Sequence, residues 1–214
     1  MRTARSITLT STLALVCACA PDLSAGDGDM DMDMDMEAET ETMAGDMGGG
    51  PQVEHTDEGD GVYLTRVDAT SDEDWIYLDL ANGAQLEVSD PQADKDWDLG
   101  FQRFHIKLNG GASGSAGVEA ALLEDTTFDD VKVAPADGYL ADQPDGDDDN
   151  DQPDYVLQDW YDYNIMTHVL TPTPTIYVVR TADMDHYKFQ IEAYYDDAGT
   201  SGHMTFRWTE VEGP

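Results

Sequence analysis

The stretch from Lys95 to Gly117 constrains the fold of this 214-residue chain more than any other. It begins with a polar turn, continues as an alternation of apolar and basic residues, and ends in a loop of glycine and serine. A period of two over this length predicts a β-strand with one buried face and one polar face. The apolar face holds Phe104, Ile106 and Leu108, and the polar face holds Arg103, His105 and Lys107.

The residues just before this alternation are out of phase with it. Leu99 and Phe101 would lie on the opposite face from Phe104 if the strand continued without interruption. We therefore expect a β-bulge near Gln102 and Arg103, because one extra residue restores the register. The glycine-rich loop that follows has no lysine and no helix signal after it, so it does not match a phosphate-binding loop.

Similar short alternating segments recur along the chain between turn residues. Asn82-Gly83 predicts a tight two-residue hairpin turn, and Asp196–Gly199 predicts a second hairpin turn. Many short strands and no convincing long helix predict an all-β domain of antiparallel strands over residues 61–214, either sandwich-like or a curved open sheet. Val118–Leu123 fits a strand or a brief helix, and the other predicted strands are Val62–Val67, Trp75–Leu80, Gln85–Val88, Thr175–Thr181, His186–Tyr195 and Gly202–Glu210.

The charge of the chain excludes several classes of partner. Its 46 acidic and 10 basic residues give a formal net charge of -36. Such a surface repels nucleic acid and anionic lipid, so we expect no nucleic-acid partner and membrane contact only through an anchor.

The N-terminus has the features of a bacterial export signal. Arg2 and Arg5 precede an apolar run, and residues 1–18 are therefore predicted to be a lipoprotein signal peptide. Val16-Cys17-Ala18-Cys19 resembles a lipobox, which implies cleavage before Cys19 and lipid on its thiol. Ala20 in place of Asp then favours the outer membrane or cell surface. The alternative is an ordinary signal peptide with incidental cysteines.

Residues 19–60 are predicted to be a disordered acidic tether. From residue 20 to residue 60 the chain has no lysine or arginine and few branched apolar residues, so it cannot bury enough surface to offset its ordering entropy. An Asp-Met repeat from Asp29 to Met36 offers thioethers that suit Cu(I), although a solvated low-complexity spacer explains it as well.

Several stretches taken together resemble the HmuY family of outer-surface haem-binding lipoproteins. They cover about residues 62–210, and it is their order along the chain that carries the resemblance. The stretches are Trp97-Asp98-Leu99-Gly100-Phe101 with Arg103, Leu108-Asn109-Gly110-Gly111, Gly138-Tyr139, Tyr177-Val178-Val179-Arg180, and Lys188-Phe189-Gln190-Ile191 with Tyr194-Tyr195.

The resemblance implies a lipid-tethered β domain that grips haem between protruding loops and works with an outer-membrane haem receptor. Two axial side chains, His with His or a pair involving Met, would come from the loops after Gly-Tyr and before Tyr-Val-Val-Arg. The first loop, residues 141–154, contains neither His nor Met, whereas the second region contains Met166 and His168. These two residues and His105 are the candidate iron ligands.

Basic and acidic residues supply two further sets of candidates. Arg103, Lys107 and Arg180 could pair with haem propionates, or with the many carboxylates of neighbouring strands. Four aspartates recur at every second position of one loop and would suit a weak calcium site or simply a solvated acidic loop. These aspartates are Asp145, Asp147, Asp149 and Asp151.

Three classes of function remain after the sequence has been considered. The first is a surface-tethered protein that captures haem or a related porphyrin for uptake. The second is a structural or interaction lipoprotein with an acidic, calcium-binding loop and no haem. An enzyme has the least support, because the chain has no metalloprotease helix, nucleophile elbow, cysteine nucleophile or nucleotide-binding glycine motif.

Overall fold

The computed structural model describes residues 51–146 and 152–214. The predicted signal peptide, Cys19, the Asp-Met repeat and residues 19–50 of the predicted tether lie outside the described residues. Three of the calcium candidates, Asp147, Asp149 and Asp151, also lie outside them.

Every strand pairing in the described residues is antiparallel, which confirms the predicted all-β class. No helix in this part of the chain is long and apolar enough to cross a membrane. The strands are β1 (Val53–Gly59), β2 (Val62–Asp68), β3 (Ile76–Asp79), β4 (Ala84–Leu86), β5 (Leu99–Gln102), β6 (His105–Leu108), β7 (Glu119–Leu123), β8 (Tyr161–Asn164), β9 (Val169–Pro172), β10 (Ile176–Arg180), β11 (His186–Tyr195) and β12 (Ser201–Val211).

The strands form two larger sheets and one separate hairpin. The six-stranded sheet has the order β1-β2-β12-β11-β10-β7, and the four-stranded sheet has the order β4-β3-β5-β6. Strands β8 and β9 pair only with each other. Apolar side chains from both larger sheets belong to one buried cluster, so the two sheets pack against each other as in a sandwich.

Aromatic rings form the centre of this core. Phe101 of β5 stacks on Phe206 of β12 with ring centroids 5.4 Å apart, which links the two sheets directly. Phe189 of β11 meets Phe206 edge-on at 5.8 Å. The alternation that predicts β12 is confirmed, because Met204, Phe206 and Trp208 are buried and their neighbours along the strand are less so.

The outer face of the six-stranded sheet is covered by the segment that follows β7. Phe128, Val131 and Ala134 form a second apolar cluster with side chains of β10. Lys188 of β11 points into this cover, and its Nζ donates hydrogen bonds to the carbonyl oxygens of Phe128 and Val131. Strand β11 is therefore buried on both faces over much of its length, which its alternating sequence does not indicate.

The folded part begins earlier than the predicted boundary at Gly61. Strand β1 pairs with β2 from Val53 onward, so residues 53–59 belong to the sheet and not to a tether. His55 therefore lies on β1, and its Nδ1 is 2.7 Å from the Oγ1 of Thr65.

The prediction of one bulged strand over residues 99–108 is wrong. Strands β5 and β6 are the two arms of a hairpin, in which Gln102 pairs with His105 across the turn residues Arg103 and Phe104. Arg103 has a φ of 50°, in the left-handed region that a tight turn can require. The turn resolves the phase conflict that suggested a bulge.

The other predicted strands are confirmed, with one change at a turn. Val118–Leu123 contributes a strand, β7, and Asp196–Gly199 forms the turn between β11 and β12. The hairpin of β3 and β4 is confirmed, but Asp79 pairs with Ala84, so its connection has four residues and not two. Gly83 has a left-handed φ of 57°, whereas Asn82 is held by the Asp79 carboxylate.

Candidate functional site

The hairpin of β8 and β9 extends from a firmly held base. The indole Nε1 of the buried Trp160 donates to the Phe104 carbonyl oxygen at 2.8 Å. The Leu170 backbone N–H donates to the Tyr195 hydroxyl at 3.0 Å, and the Thr173 N–H donates to the Trp160 carbonyl at 2.8 Å. The base is thus attached to both larger sheets.

The tip of this hairpin, residues 165–168, has a defined turn conformation. The Asn164 side-chain oxygen accepts hydrogen bonds from the N–H groups of Met166 (2.9 Å) and Thr167 (3.2 Å). The His168 N–H donates to the Asn164 carbonyl at 2.7 Å, and His168 has a left-handed φ of 57°. An Asx turn and a residue in the left-handed region therefore fix the tip.

The tip carries the densest group of exposed apolar side chains in the described residues. Every residue from Asp162 to Val169 is exposed. The exposed fraction is 53% for Tyr163, 75% for Ile165 and 85% for Met166. Exposed apolar patches of this kind mark binding surfaces in soluble proteins.

Three side chains at or beside the tip can donate an electron pair to a metal ion. Met166 offers a thioether, His168 an imidazole and Tyr163 a phenol oxygen. The Tyr163 hydroxyl and His168 Nδ1 are in hydrogen-bond contact. An extended segment would place Met166 and His168 on one face, but they lie within a turn because β8 ends at Asn164.

His105, the third predicted iron ligand, lies away from the tip at the start of β6. Its ring is 4.2 Å from the ring of Phe104 and 5.7 Å from that of Tyr155. Burial between these rings lowers the pKa of His105.

Lys107 does not lie on a polar face, so the expectation of an exposed basic strand face is wrong. Its Nζ is 3.8 Å from the centre of the Trp75 ring and donates to the Tyr77 hydroxyl at 3.1 Å. Trp97 completes a set of three aromatic rings around the ammonium group. Burial lowers the pKa of Lys107 to about 8, although Asp142 partly opposes this effect. The side chain is 8% exposed and is a poor partner for a ligand at the surface.

The two arginines predicted to pair with propionates already have protein partners. Arg103 donates to the Thr70 carbonyl at 3.0 Å and to the Ser201 hydroxyl at 3.2 Å, and it pairs with Asp72 at 3.4 Å.

Arg180 forms a salt bridge with Glu119, and its guanidinium carbon lies 4.2 Å from the centre of the Tyr139 ring. Arg180 is the last residue of β10, at the end of the strand that is more distant along the chain from the β8–β9 hairpin. Of the three basic candidates, Arg103 is therefore the one beside the hairpin base, next to Phe104.

The first glycines of the loop after β6 are packed closely against neighbouring backbone. A Cβ on Gly110 would lie 2.0 Å from the Val118 carbonyl oxygen, and one on Gly111 would lie 1.9 Å from that of Asp142. Asn109 donates to the carbonyls of Asp94 and Trp97 at 3.0 and 2.8 Å. These contacts make this part of the loop a scaffold element.

The described residues contain no cluster of three or more His, Cys, Asp or Glu side chains that could hold a metal ion. Gln143 and Asp154 close the base of the acidic loop through two backbone hydrogen bonds of 3.0 Å. Asp145 is exposed near this base. A calcium site in the loop stays a prediction, because most of its ligands lie outside the described residues.

Sequence reasoning missed Tyr163 as a candidate. The signal that could have identified it is Asn164, which favours a turn directly after Tyr163 and returns the chain toward it. The five clefts of about 380–550 Å³ on the described residues are lined by side chains outside the tip. The tip is therefore a projecting element and does not line one of these clefts.

Known structures with the same fold include proteins of Tannerella and Bacteroides species. An apo HmuY analogue of Tannerella forsythia is 18% identical with a TM-score of 0.58, and the match covers 74% of this chain and 96% of that one. A candidate lipoprotein of Bacteroides fragilis is 22% identical with a TM-score of 0.55 (72% and 94% covered).

A candidate HmuY-like haem-binding protein of Bacteroides vulgatus is 20% identical with a TM-score of 0.53, and the match covers 74% of this chain and 96% of that one. At these identities the likeness shows the fold. A search of curated proteins finds no match.

The family comparison is independent of these structures. The family model described as HmuY protein matches residues 71–208, which span β3 to β12 except for the last residues of β12. The match covers more than half of the chain and includes all the motifs quoted above. This chain belongs to the HmuY family.

Proposed function

We propose that this protein captures haem or a related porphyrin at the β8–β9 hairpin. The observation that carries the proposal is the combination of exposed donor atoms and exposed apolar side chains on one anchored turn. Met166, His168 and Tyr163 supply the donors, and Ile165 and Val169 supply apolar surface. Family membership supports the same class of ligand.

The apolar surface suits a flat macrocycle. A porphyrin face is apolar, and covering it removes hydrophobic area from both partners. Phe104 extends the surface at the hairpin base, because it is 37% exposed and its ring lies 6.1 Å from that of Tyr161. The residues present therefore fit the group, which would supply an iron centre for the donor atoms of the tip.

The charge of the protein limits how such a ligand can be oriented. Haem propionates are anionic and would meet a protein of formal charge -36. We infer that they point to solvent or toward Arg103, whose guanidinium still has exposed surface beside the hairpin base. We do not propose Lys107 or Arg180 for this role, because Lys107 is buried and Arg180 lies at the far end of β10 from the hairpin.

Titration of the purified protein with hemin tests the proposal. We expect the Soret band to shift and saturate, and we expect Met166→Ala with His168→Ala to weaken binding at least tenfold. Met184→Ala is the matched control, because Met184 is also an exposed methionine (61%, against 85% for Met166) and lies in the turn between β10 and β11. A Soret band that neither shifts nor saturates, in oxidised or reduced conditions, would contradict haem capture.

We also propose that the protein is held at the outer membrane or cell surface by lipid on Cys19 and passes its ligand to an outer-membrane receptor. Metabolic labelling with a fatty acid in a bacterial host tests the anchor. Cys19→Ser should abolish labelling and release the protein, whereas Cys17→Ser should change neither. Equal loss of labelling in the two variants would contradict attachment at Cys19.

A further inference from the structure

We propose that Tyr163 supplies the iron-binding atom of the hairpin and that His168 accepts its phenolic proton. The inference rests on the proposed function, because it assigns the atoms through which the tip would hold a ferric porphyrin. It departs from an axial pair of His and Met, which the sequence suggests.

The contact between the two side chains is the first observation. Tyr163 Oη and His168 Nδ1 are in hydrogen-bond contact, and their ring centroids lie 5.9 Å apart. Strand β8 presents Tyr163 and the turn returns His168 to it, five residues later along the chain. Both residues are exposed, so an incoming ligand can reach either of them.

The chemistry of this hydrogen bond decides which atom is available. A phenol is a better donor than acceptor, so we assign Tyr163 as the donor to the lone pair on Nδ1. Neutral histidine then carries its proton on Nε2, and that nitrogen has no lone pair for a metal ion. Histidines that bind metals have the opposite arrangement, in which the second nitrogen donates to a carboxylate or carbonyl. The phenol oxygen keeps its lone pairs.

The backbone at His168 is the second observation. A residue other than glycine in the left-handed region costs about 1–2 kcal/mol in comparison with the right-handed region. The hydrogen bond to the Asn164 carbonyl and the Asx turn hold His168 in that region. Glycine would form the same turn at less cost, so a role for the imidazole is consistent with this conformation.

A Tyr163 phenolate would place a negative charge next to a ferric centre, and the His168 imidazolium beside it would hold the displaced proton. If a ferric porphyrin bound here, the Tyr163 O–H bond would break, its electron pair would stay on Oη to hold the iron, and the proton would move to His168 Nδ1. The pair would become phenolate and imidazolium, so its total charge would be unchanged and no electron would be transferred. Tyrosine is an established haem ligand. A hard anionic oxygen prefers ferric over ferrous iron, so reduction should weaken binding.

The first test uses the protein without ligand. Nitrogen-15 chemical shifts of the imidazole report which nitrogen carries the proton. We expect His168 to be protonated almost wholly on Nε2 and unprotonated on Nδ1, and we expect Tyr163→Phe to reduce this preference to that of free histidine, in which Nε2 protonation already predominates. A proton on Nδ1 would overturn the assignment, because Nε2 would then be the available ligand atom.

The second test uses hemin and three variants. The wild type should show the resonance Raman signature of an iron–phenolate bond, and Tyr163→Phe should lose it together with most of the affinity. His168→Asn should keep the signature and bind about 10–100-fold more weakly, as expected for loss of a supporting group. Tyr63→Phe is the control, since Tyr63 is a partly exposed tyrosine on β2 (36% exposed).

The outcomes separate the two proposals. If the wild type does not bind hemin, haem capture fails and the ligand assignment fails with it. If the wild type binds and Tyr163→Phe keeps the same spectrum and affinity, only the assignment to Tyr163 is overturned. Loss of the spectrum in His168→Asn alone would assign the ligand to His168 instead.

Discussion

The glycine-rich loop after β6 and the tip of the β8–β9 hairpin are both turn regions, but they differ in which side chains they bury and which they expose. In the loop Asn109 is fully buried with backbone partners, and the buried Asp142 packs against the loop and accepts the Leu108 N–H. The tip exposes apolar groups, and His168 within it has a strained, left-handed backbone conformation. The motifs by which the family is recognised lie in the first kind of region. These motifs lie in the scaffold, whereas the proposed ligand site lies in the second kind of region.

The largest expected effect is at Gly110. In Gly110→Ala the new methyl group would meet the Val118 carbonyl oxygen at 2.0 Å, which is backbone and cannot rotate away. We expect a loss of at least about 3–5 kcal/mol in the free energy of unfolding, or failure to fold. Urea unfolding followed by tryptophan fluorescence measures it.

Gly117→Ala is the control for this variant. Gly117 has a φ of 83°, but no atom lies within 4 Å of the position that a new methyl group would occupy, so only backbone strain is added. We expect a loss of about 1–2 kcal/mol. Equal effects at the two positions would show that the loop tolerates crowding and would remove the contrast with the hairpin tip.

An intermediate effect is expected at Asp98, in another of the family motifs. Its carboxylate is buried and accepts the Leu80 N–H at 2.9 Å. Burial raises the pKa of Asp98 to about 6, so the folded protein holds this proton more tightly than the unfolded chain. The stability that the group contributes is complete below about pH 4 and is lost as the pH rises through 6.

Asp98→Asn keeps an acceptor and removes the charge. Relative to wild type, the variant should gain about 2–3 kcal/mol in unfolding free energy between pH 4 and pH 8, since two pKa units correspond to roughly that amount. Asp137→Asn, at an exposed carboxylate, should show a much smaller change. A pH-independent difference between wild type and Asp98→Asn would contradict the buried charge.

The smallest expected effect on stability is at the tip itself. His168→Gly relieves the left-handed strain but adds chain entropy, so the unfolding free energy should change by less than about 1 kcal/mol. His168→Val should be less stable than His168→Gly, because a β-branched residue tolerates this region poorly. Thermal unfolding measures both, and a large loss in His168→Gly would mean that the imidazole is structural.

Much of the fold was predictable because its signal is local. The alternation in β11 and β12 and the turn at Asp196–Gly199 predict the hairpin that the structure contains. Strand β1 was not predicted, because only Val53 of this edge strand is buried and its sequence therefore has no apolar alternation. Asp60-Gly61, at the turn into β2, was the available signal.

The errors elsewhere have tertiary causes. The turn at Arg103 and Phe104 contains neither glycine nor asparagine, so no residue type marks it. Lys107 is buried because Trp75 and Trp97, distant in sequence, enclose it. At the hairpin, the residue types alone identify Met166 and His168 as possible metal ligands. The contact of Tyr163 with His168 could not be predicted in this way, because it depends on the turn that brings the two side chains together.

The acidic edge strand β1 has a consequence for molecules of this protein crowded side by side. An unpaired sheet edge can recruit the edge of a neighbour and start fibrous aggregation. Here Glu54, Asp57 and Glu58 line one border of the six-stranded sheet, and Leu140 occupies hydrogen-bonding positions of Ala120 on the other. Like charges on adjacent copies would keep such borders apart, so dense arrays of this protein should stay dispersed.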